Sequence, residues 1–358
     1  MAIRHGIASS SVALTPIVTI SSVSNYNQNR AQFNAQIDNN GYTGTVYFDY
    51  STSSTFTSYT TVSFTNINRG STGVSYSATG LTEGTLYYVR CRAANDVGTI
   101  TSGSVSFTTW SLQVYERTTA GGTTFTIPTI TPAGGSAIAV SIYDIIMFGG
   151  GGGGTSFQGS GGGGYISQAS QTLTGNRSIT TSVGAGGAGV VYNTSEATSG
   201  GNSTISGDIT TLTANGGSSG ANTNGVAQRG WSSGNGNLGG TGQGYDWVSD
   251  KYNFTNGAGG GGGGAGGAGG NGTANNTGTY GGNGGIGVSI TRGGVTREGG
   301  AGGPGAASNL DGGPAYAGST GTYNTYGSGG NCAAYLGNGS AGQAGYIRFR
   351  YYAASALA

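Results

Sequence analysis

From Gly257 to Gly272 the chain reads Gly-Ala-Gly-Gly-Gly-Gly-Gly-Gly-Ala-Gly-Gly-Ala-Gly-Gly-Asn-Gly, and glycine returns there with a period of three. Positions 257, 260, 263, 266, 269 and 272 are glycine, as are 261, 264, 267 and 270, while Ala265, Ala268 and Asn271 fill the remaining register. The same rule governs Gly281–Gly287, with Asn283 and Ile286 as the odd residues, Gly299–Gly305, with Ala301 and Pro304, and Gly184–Gly189. Glycine has no side chain to bury and loses the most backbone freedom on ordering. Order in such a run must therefore come from the main chain.

Three residues per turn is the repeat of the polyproline II helix, which makes no internal hydrogen bonds. The 16 residues from Gly257 to Gly272 would span about 50 Å as one such rod. Its amides and carbonyls then need partners outside the rod, and when buried these are neighbouring rods of the same kind. Glycine on two of three faces allows that approach, helped by weak Cα–H···O contacts. The third face, bearing Ala, Asn, Ile or Pro, is left to turn toward solvent or a small core. Collagen fails on composition, because it needs abundant proline and the whole chain has 5. A flexible linker would not need the apolar strands that frame the runs. Those strands are Ala137–Phe148 before Gly149–Gly154, Ser178–Val183 before Gly184, Gly285–Ile290, and a closing Gly345–Tyr352 in which Ile347, Phe349 and Tyr351 alternate with Arg348 and Arg350.

The glycines stop abruptly toward the N-terminus. Residues 1–120 hold 9 of the 79, which leaves 70 for the rest. The first part instead carries short runs rich in Val, Thr, Tyr and Phe between turn residues, a pattern that predicts an antiparallel sandwich. Around 86–93, Tyr87, Val89, Cys91 and Ala93 fall on one face, and Tyr88, Arg90 and Arg92 on the other, which is expected to stay wet. Cys91 reads as a small core residue. The stretch Leu81-Thr-Glu-Gly-Thr-Leu-Tyr87-Tyr-Val89-Arg-Cys-Arg-Ala93-Ala-Asn95-Asp-Val-Gly98 resembles the E–F corner and strand F of a fibronectin type III domain. The resemblance makes Tyr87 the corner tyrosine, with Glu83 in place of the usual proline and Cys91 in place of an aliphatic residue. It implies a spacer or docking module.

The glycine-rich part also resembles a family, the glycine-rich domain of bacteriophage tail and tail-fibre proteins. The landmarks are Thr124-Phe-Thr-Ile-Pro128, Ile145-Ile-Met-Phe followed by Gly149–Gly154, Ser182-Val-Gly-Ala-Gly-Gly187 and Gly342-Gln-Ala-Gly-Tyr-Ile-Arg-Phe-Arg-Tyr351. Its register is similar to that of the fibre-tip adhesins of T-even-like phages, whose polyglycine II helices form a layered slab with receptor-binding loops between them. The fibronectin-like half departs from that adhesin pattern.

A rigid glycine scaffold concentrates its variety between the runs. Trp231, Tyr245, Asp246, Trp247, Tyr252 and Phe254 make the richest such segment, and Tyr316, Tyr323, Tyr326 and Tyr335 a second. Tyrosine and tryptophan offer large contact area at low entropic cost, and aromatic faces beside Asp and Asn suit saccharides. The same aromatics could equally pack on the slab or on a sister subunit, and both readings stay open.

Other chemistries recede. One histidine, His5, and two cysteines, Cys91 and Cys332, offer little to a metal site. No helix pattern follows the G-x-G-x-x-G strings, so phosphate binding is not expected. Carboxylate pairs such as Asp246 with Asp250, or Glu196 with Asp208, have no separation to test, and no enzymatic activity or cofactor is expected. A formal charge of +1 gives no footprint for nucleic acid, and no apolar stretch is long enough to span a bilayer. No signal peptide is apparent.

The expectation is all-β: an arm or anchor at 1–14, a fibronectin III-like β-sandwich at 15–109, a linker at 110–122, a domain of packed polyglycine II helices framed by short β-strands at 123–352, and a tail at 353–358. As a phage virion protein, assembled in the host cytoplasm, the chain would meet other virion proteins through its N-terminal half. It would bind a host glycan or outer-membrane protein as a tail-fibre or baseplate adhesin, and homo-oligomerise, for instance as a trimer. The alternative is a capsid decoration or tail-accessory cement protein; an ice-binding lattice fits the bulky inserts less well.

Overall fold

A computed structural model of the chain describes residues 14–67, 70–127, 140–155, 159–173, 177–190, 196–219, 232–234, 243–247, 254–258, 262–275, 278–304, 307–309, 315–316, 319–322, 325–332 and 338–353; at 243–247, 254–258, 273–275, 278–279, 307–309 and 315–316 only the backbone is described. Among these residues the fold is all-β, with no helix and several largely antiparallel sheets. Two compact units part between Gln113 and Val114.

The first unit contains β1 (Ile17–Ile20), β2 (Arg30–Asp38), β3 (Gly44–Ser51), β4 (Thr60–Ile67), β5 (Ser71–Thr79), β6 (Leu86–Ala94) and β7 (Thr99–Thr108). They form two sheets, β1-β2-β5 and β4-β3-β6-β7. Period-two alternation turns Ala31, Phe33, Ala35 and Ile37 of β2 inward, opposite Val46 and Phe48 of β3 and Val89, Cys91 and Ala93 of β6. Phe33 sits at the centre, tilted against Phe48 and Phe107 with ring centroids 6.0 Å from each. Asn40 and Gly41, both at positive φ, reverse the chain after β2, and the Tyr42 amide closes the turn on the Asn39 carbonyl at 3.1 Å. Before β6 the Tyr87 hydroxyl accepts the Thr82 amide at 3.0 Å. Cys91 is fully buried, and that burial pushes its thiol up to about 12.

The second unit starts inside the stretch expected as a linker. β8 (Ser111–Arg117) and β9 (Gly121–Thr126) cover most of 110–122, because each completes a four-stranded sheet. With β10 (Ser141–Phe148), β11 (Tyr165–Thr172), β12 (Ser178–Val183), β13 (Ser203–Gly207), β14 (Leu212–Ala214) and the closing strand β23 (Tyr346–Ala353) they give the orders β11-β10-β23-β8 and β14-β13-β12-β9. Tyr115 of β8 lies 5.0 Å from Phe125 of β9 and 4.9 Å from Phe349 of β23, ring to ring, so the two sheets share an aromatic seam. A hairpin, β19 (Val288–Arg292) and β20 (Val295–Gly299), joins them. Ile290 packs against Ile146, Phe148 and Tyr346. Arg348, which alternates with Ile347 and Phe349 along β23, is 1 % exposed, and its Nη1 donates to the Arg292 carbonyl at 3.3 Å.

Five sheet strands run directly into or out of glycine runs: β10 into 149–154, β12 into 184–190, β14 into 215–219, and β13 and β23 out of 196–202 and 338–345. Here the ladder period of two gives way to three. Gly149 and Gly152 donate to Gly164 and Gly161, Gly150 and Gly153 to Gly201 and Thr198, and Gly151 and Gly154 to Gln343 and Ser340, all at 2.8–2.9 Å. The run therefore bonds three antiparallel neighbours in rotation. Its carbonyls accept from three more: Gly187 on Gly151 and Val190 on Gly154, Gly217 on Gly150, and Gly330 on Gly152. The six neighbours also bond one another in a closed ring, 161–164 to 215–218 to 198–201 to 185–188 to 339–345 to 327–331 and back. A Cβ on any of Gly149–Gly154 would collide with a neighbour's backbone, in turn that of Asn215, Ala185, Ser328, Ser218, Ala188 and Asn331.

Other glycine runs show the same rhythm in exposure. Gly184, Gly187 and Val190 are buried while Ala185 and Ala188 face solvent, and Gly282 and Gly285 are buried while Asn283 and Ile286 are exposed. The run 257–272 departs from expectation. Strand β16 (Phe254–Ala258) takes its start, and Gly264 and Gly267 exchange both backbone hydrogen bonds around a tight turn. Ala265, inside this turn, is buried, and its amide bonds the Gly300 carbonyl at 2.7 Å, so the neighbours decide where the run bends.

Candidate recognition surface

The segments expected to carry recognition are built on two small sheets in the second unit. β15 (Gln243–Trp247) pairs with β16, which pairs with β21 (Ala307–Asn309). β17 (Thr273–Asn275) pairs with β18 (Gly278–Tyr280), which pairs in parallel with β22 (Ala315–Tyr316). In the first sheet Trp247 stands directly opposite Phe254, and Asp246 opposite Asn256, with register shifts on either side of Asp246. In the second, Tyr316 stands opposite Tyr280. The backbone thus draws Tyr245, Asp246, Trp247 and Phe254 into one hairpin and sets Tyr316 on a neighbouring strand pair. Trp231, Tyr252, Tyr323 and Tyr335 lie outside the described residues.

Tyr326 is the one candidate whose side chain is described, and it packs. The ring is half-buried and stacks on Tyr346 with centroids 4.4 Å apart. Arg297 crosses the same tyrosine, its Nε donating to the Tyr346 hydroxyl at 2.9 Å and its Nη2 to Glu116 at 2.8 Å. Burial pushes the Tyr346 phenol well above its ordinary range, against the hydrogen bond from Arg297. The Asp208 carboxylate, one half of a conceivable acid pair, accepts the Ser178 amide at 2.9 Å and so serves the turn before β12.

Two features escaped the sequence. Tyr280 is 41 % exposed, close in sequence to Asn283 and Ile286, which are exposed as well. The second is a charged cluster in the first unit, where Arg90 and Arg92 do not simply face water but converge on Asp49. Oδ2 of Asp49 accepts Arg90 Nε at 3.0 Å and Arg92 Nε at 2.7 Å, and Oδ1 accepts Arg92 Nη2 and the Thr61 hydroxyl. Burial works to raise this carboxyl, but the hydrogen bonds from Arg92, Thr61 and Arg90 outweigh it and hold it below the ordinary range. The signal was present as Asp49 on β3 and Arg90 on β6, but their pairing needs the register of two strands far apart in the chain.

Comparison with known families matches residues 118–352 to a glycine-rich domain. The chain belongs to that family. The match begins after β8, so the glycine-rich domain as folded recruits one strand that precedes it. The glycine-rich domain also contains every candidate recognition residue named above. Among curated proteins, comparison finds no match.

Proposed function

We propose that this chain is a phage virion adhesin whose glycine-rich domain is a lattice of polyglycine II helices displaying an aromatic hairpin to a host surface receptor. The observation that carries the reading is the closed ring of six hydrogen-bonded runs around Gly149–Gly154. Amides handed to three neighbours in turn, with a repeat of three, are what rods of polyproline II type require when buried. Such a lattice is stiff, and a hairpin held on it starts with little entropy left to lose on binding. The register that sets Trp247 opposite Phe254, next to Asp246, brings to one hairpin the residue types that suit a receptor contact.

The N-terminal unit is read as a fibronectin III-like module. Its sheet orders of three and four strands and the Tyr87 hydroxyl on the Thr82 amide support that reading. It would hold the chain to other virion proteins, and homo-oligomers would multiply weak contacts by about 10²–10⁴ in avidity.

The test is competition. The purified chain should bind host cells and block adsorption of the phage, and Trp247→Ala should remove the block while leaving the fold intact by circular dichroism. The half-buried packing of Tyr326 favours the second reading, a cement protein, for its own segment. An intact chain that never binds cells would establish that alternative for the whole.

A further inference from the structure

We propose that the outer face of β3, β4 and β6 in the first unit is a docking site for an acidic segment of a partner protein, with Arg90 as the fork that receives its carboxylate. The Asp49 carboxylate is fully enclosed and already accepts four hydrogen bonds. Two guanidinium groups share this one carboxylate, which leaves one positive charge uncompensated. No other carboxylate pairs with either arginine among the described residues. Each arginine reaches Asp49 through its Nε edge. Among the described residues Nη1 and Nη2 of Arg90 and Nη1 of Arg92 have no acceptor, and both side chains are 25 % exposed.

The fork is held in place before any partner arrives. Arg90 Cζ lies 4.3 Å from the Phe56 ring centroid and 5.1 Å from that of Tyr59, and Arg92 Cζ lies 4.6 Å from the Tyr47 ring. The loop carrying Phe56 and Tyr59 is itself fixed. Ser51 Oγ accepts the Ser53 amide at 2.9 Å, the Phe56 amide bonds the Ser53 carbonyl at 3.1 Å, and Phe56 is buried at a φ of 54°. An unconstrained arginine gives up rotamer entropy on binding, and here the rings and the Asp49 contacts already restrict the side chain. Arginine and tyrosine on a water-facing sheet are the residues that dominate protein interfaces, and a planar fork matches a carboxylate in two parallel hydrogen bonds. A flat strand surface suits an extended peptide, which commits the occupant to protein. This site lies outside the glycine-rich domain and does not rest on the adhesin reading.

The experiment titrates the full chain with a hexaglutamate peptide, with hexaglutamine, inorganic phosphate and a polyuronate tetrasaccharide as comparisons. Binding is followed by the arginine Nε–H resonances in ¹⁵N-edited NMR. Saturable shifts of Arg90 and Arg92 with hexaglutamate and none with hexaglutamine are expected. Arg90→Lys keeps the charge but loses the fork, and should weaken binding about tenfold. Tyr59→Ala, at a ring 45 % exposed, should weaken it by a smaller factor, and it carries the test where Arg90→Lys disturbs folding. Equal affinity in both variants, or phosphate or uronate binding as tightly as the peptide, would overturn the proposal.

Discussion

The two units solve the same problem, burying a polar backbone, with opposite materials. In the first, side chains do the filling: Phe33, Phe48, Val89 and Cys91 meet between two sheets whose amides are already paired within each sheet. In the second, the centre of the lattice has no side chains at all, and the buried matter is the main chain of Gly149–Gly154 and its six neighbours. An apolar core tolerates exchange of one hydrocarbon shape for another at modest cost. A lattice of touching backbones has no shape to exchange. The lesson is that glycine acts here as a packing residue, chosen for what it leaves out.

That contrast can be attacked directly, and the hardest blow falls on the lattice. Gly153→Val would drive its side chain into the Ala188 carbonyl, with no flexible group to yield. The expected loss exceeds about 3 kcal/mol and should appear as collapse of the thermal transition and of amide protection across 149–219. Phe48→Ala hollows the first unit instead and should cost about 3–5 kcal/mol, read by denaturant unfolding, with protection of Gly149–Gly154 unchanged. If Phe48→Ala opens the glycine amides as well, the two materials are not separate.

A third probe uses acid. Asp49 has its folded pKa below the unfolded value, so its contribution is fully present above the unfolded carboxylate pKa of about 3.9 and is lost as pH falls through the folded value. Asp49→Asn should cost about 1–3 kcal/mol at pH 7 and flatten the pH dependence of stability below pH 4. Both are measurable by urea unfolding from pH 7 to 2. The smallest effect is reserved for the lattice rim. Ala188→Ser, on the exposed register of its rod, should change stability by less than about 0.5 kcal/mol in the same assay. Gly186 and Gly189, whose amides have no acceptor among the described residues, should exchange with deuterium far faster than Gly187, which bonds Gly151.

How much of this could be read in advance depended on whether a feature is local. The alternation at Tyr87–Ala93 follows from a period visible within seven residues, and the structure has it. The triplet register of Asn283 and Ile286 is equally visible, but that it meets solvent there, while Ala265 and Ala301 are buried, is set by the neighbours. The strands within 110–122 leave little local trace, because β8 looks unremarkable alone; its place is set by β23, more than two hundred residues later. Likewise Gly257–Gly272 carries a triplet rhythm yet bends at Gly264–Gly267, where the Ala265 amide bonds Gly300, a partner that the local sequence does not reveal. The Asp49 cluster and the burial of Arg348 under β19 are tertiary facts with no local trace. Of the recognition residues, sequence could nominate the aromatics, but only strand register set Trp247 against Phe254.

The ring around Gly149–Gly154 has a consequence in time. Gly151 and Gly154 take their acceptors from Gln343 and Ser340, which the ribosome adds only after the long stretch between them. Contacts so distant along the chain form slowly. Until they do, a naked, water-satisfied strand persists that any similar nascent chain could capture. A truncation before residue 338 should therefore yield tangled multimers, and the segment from 338 to 353 acts as the latch that commits each copy to closing on itself.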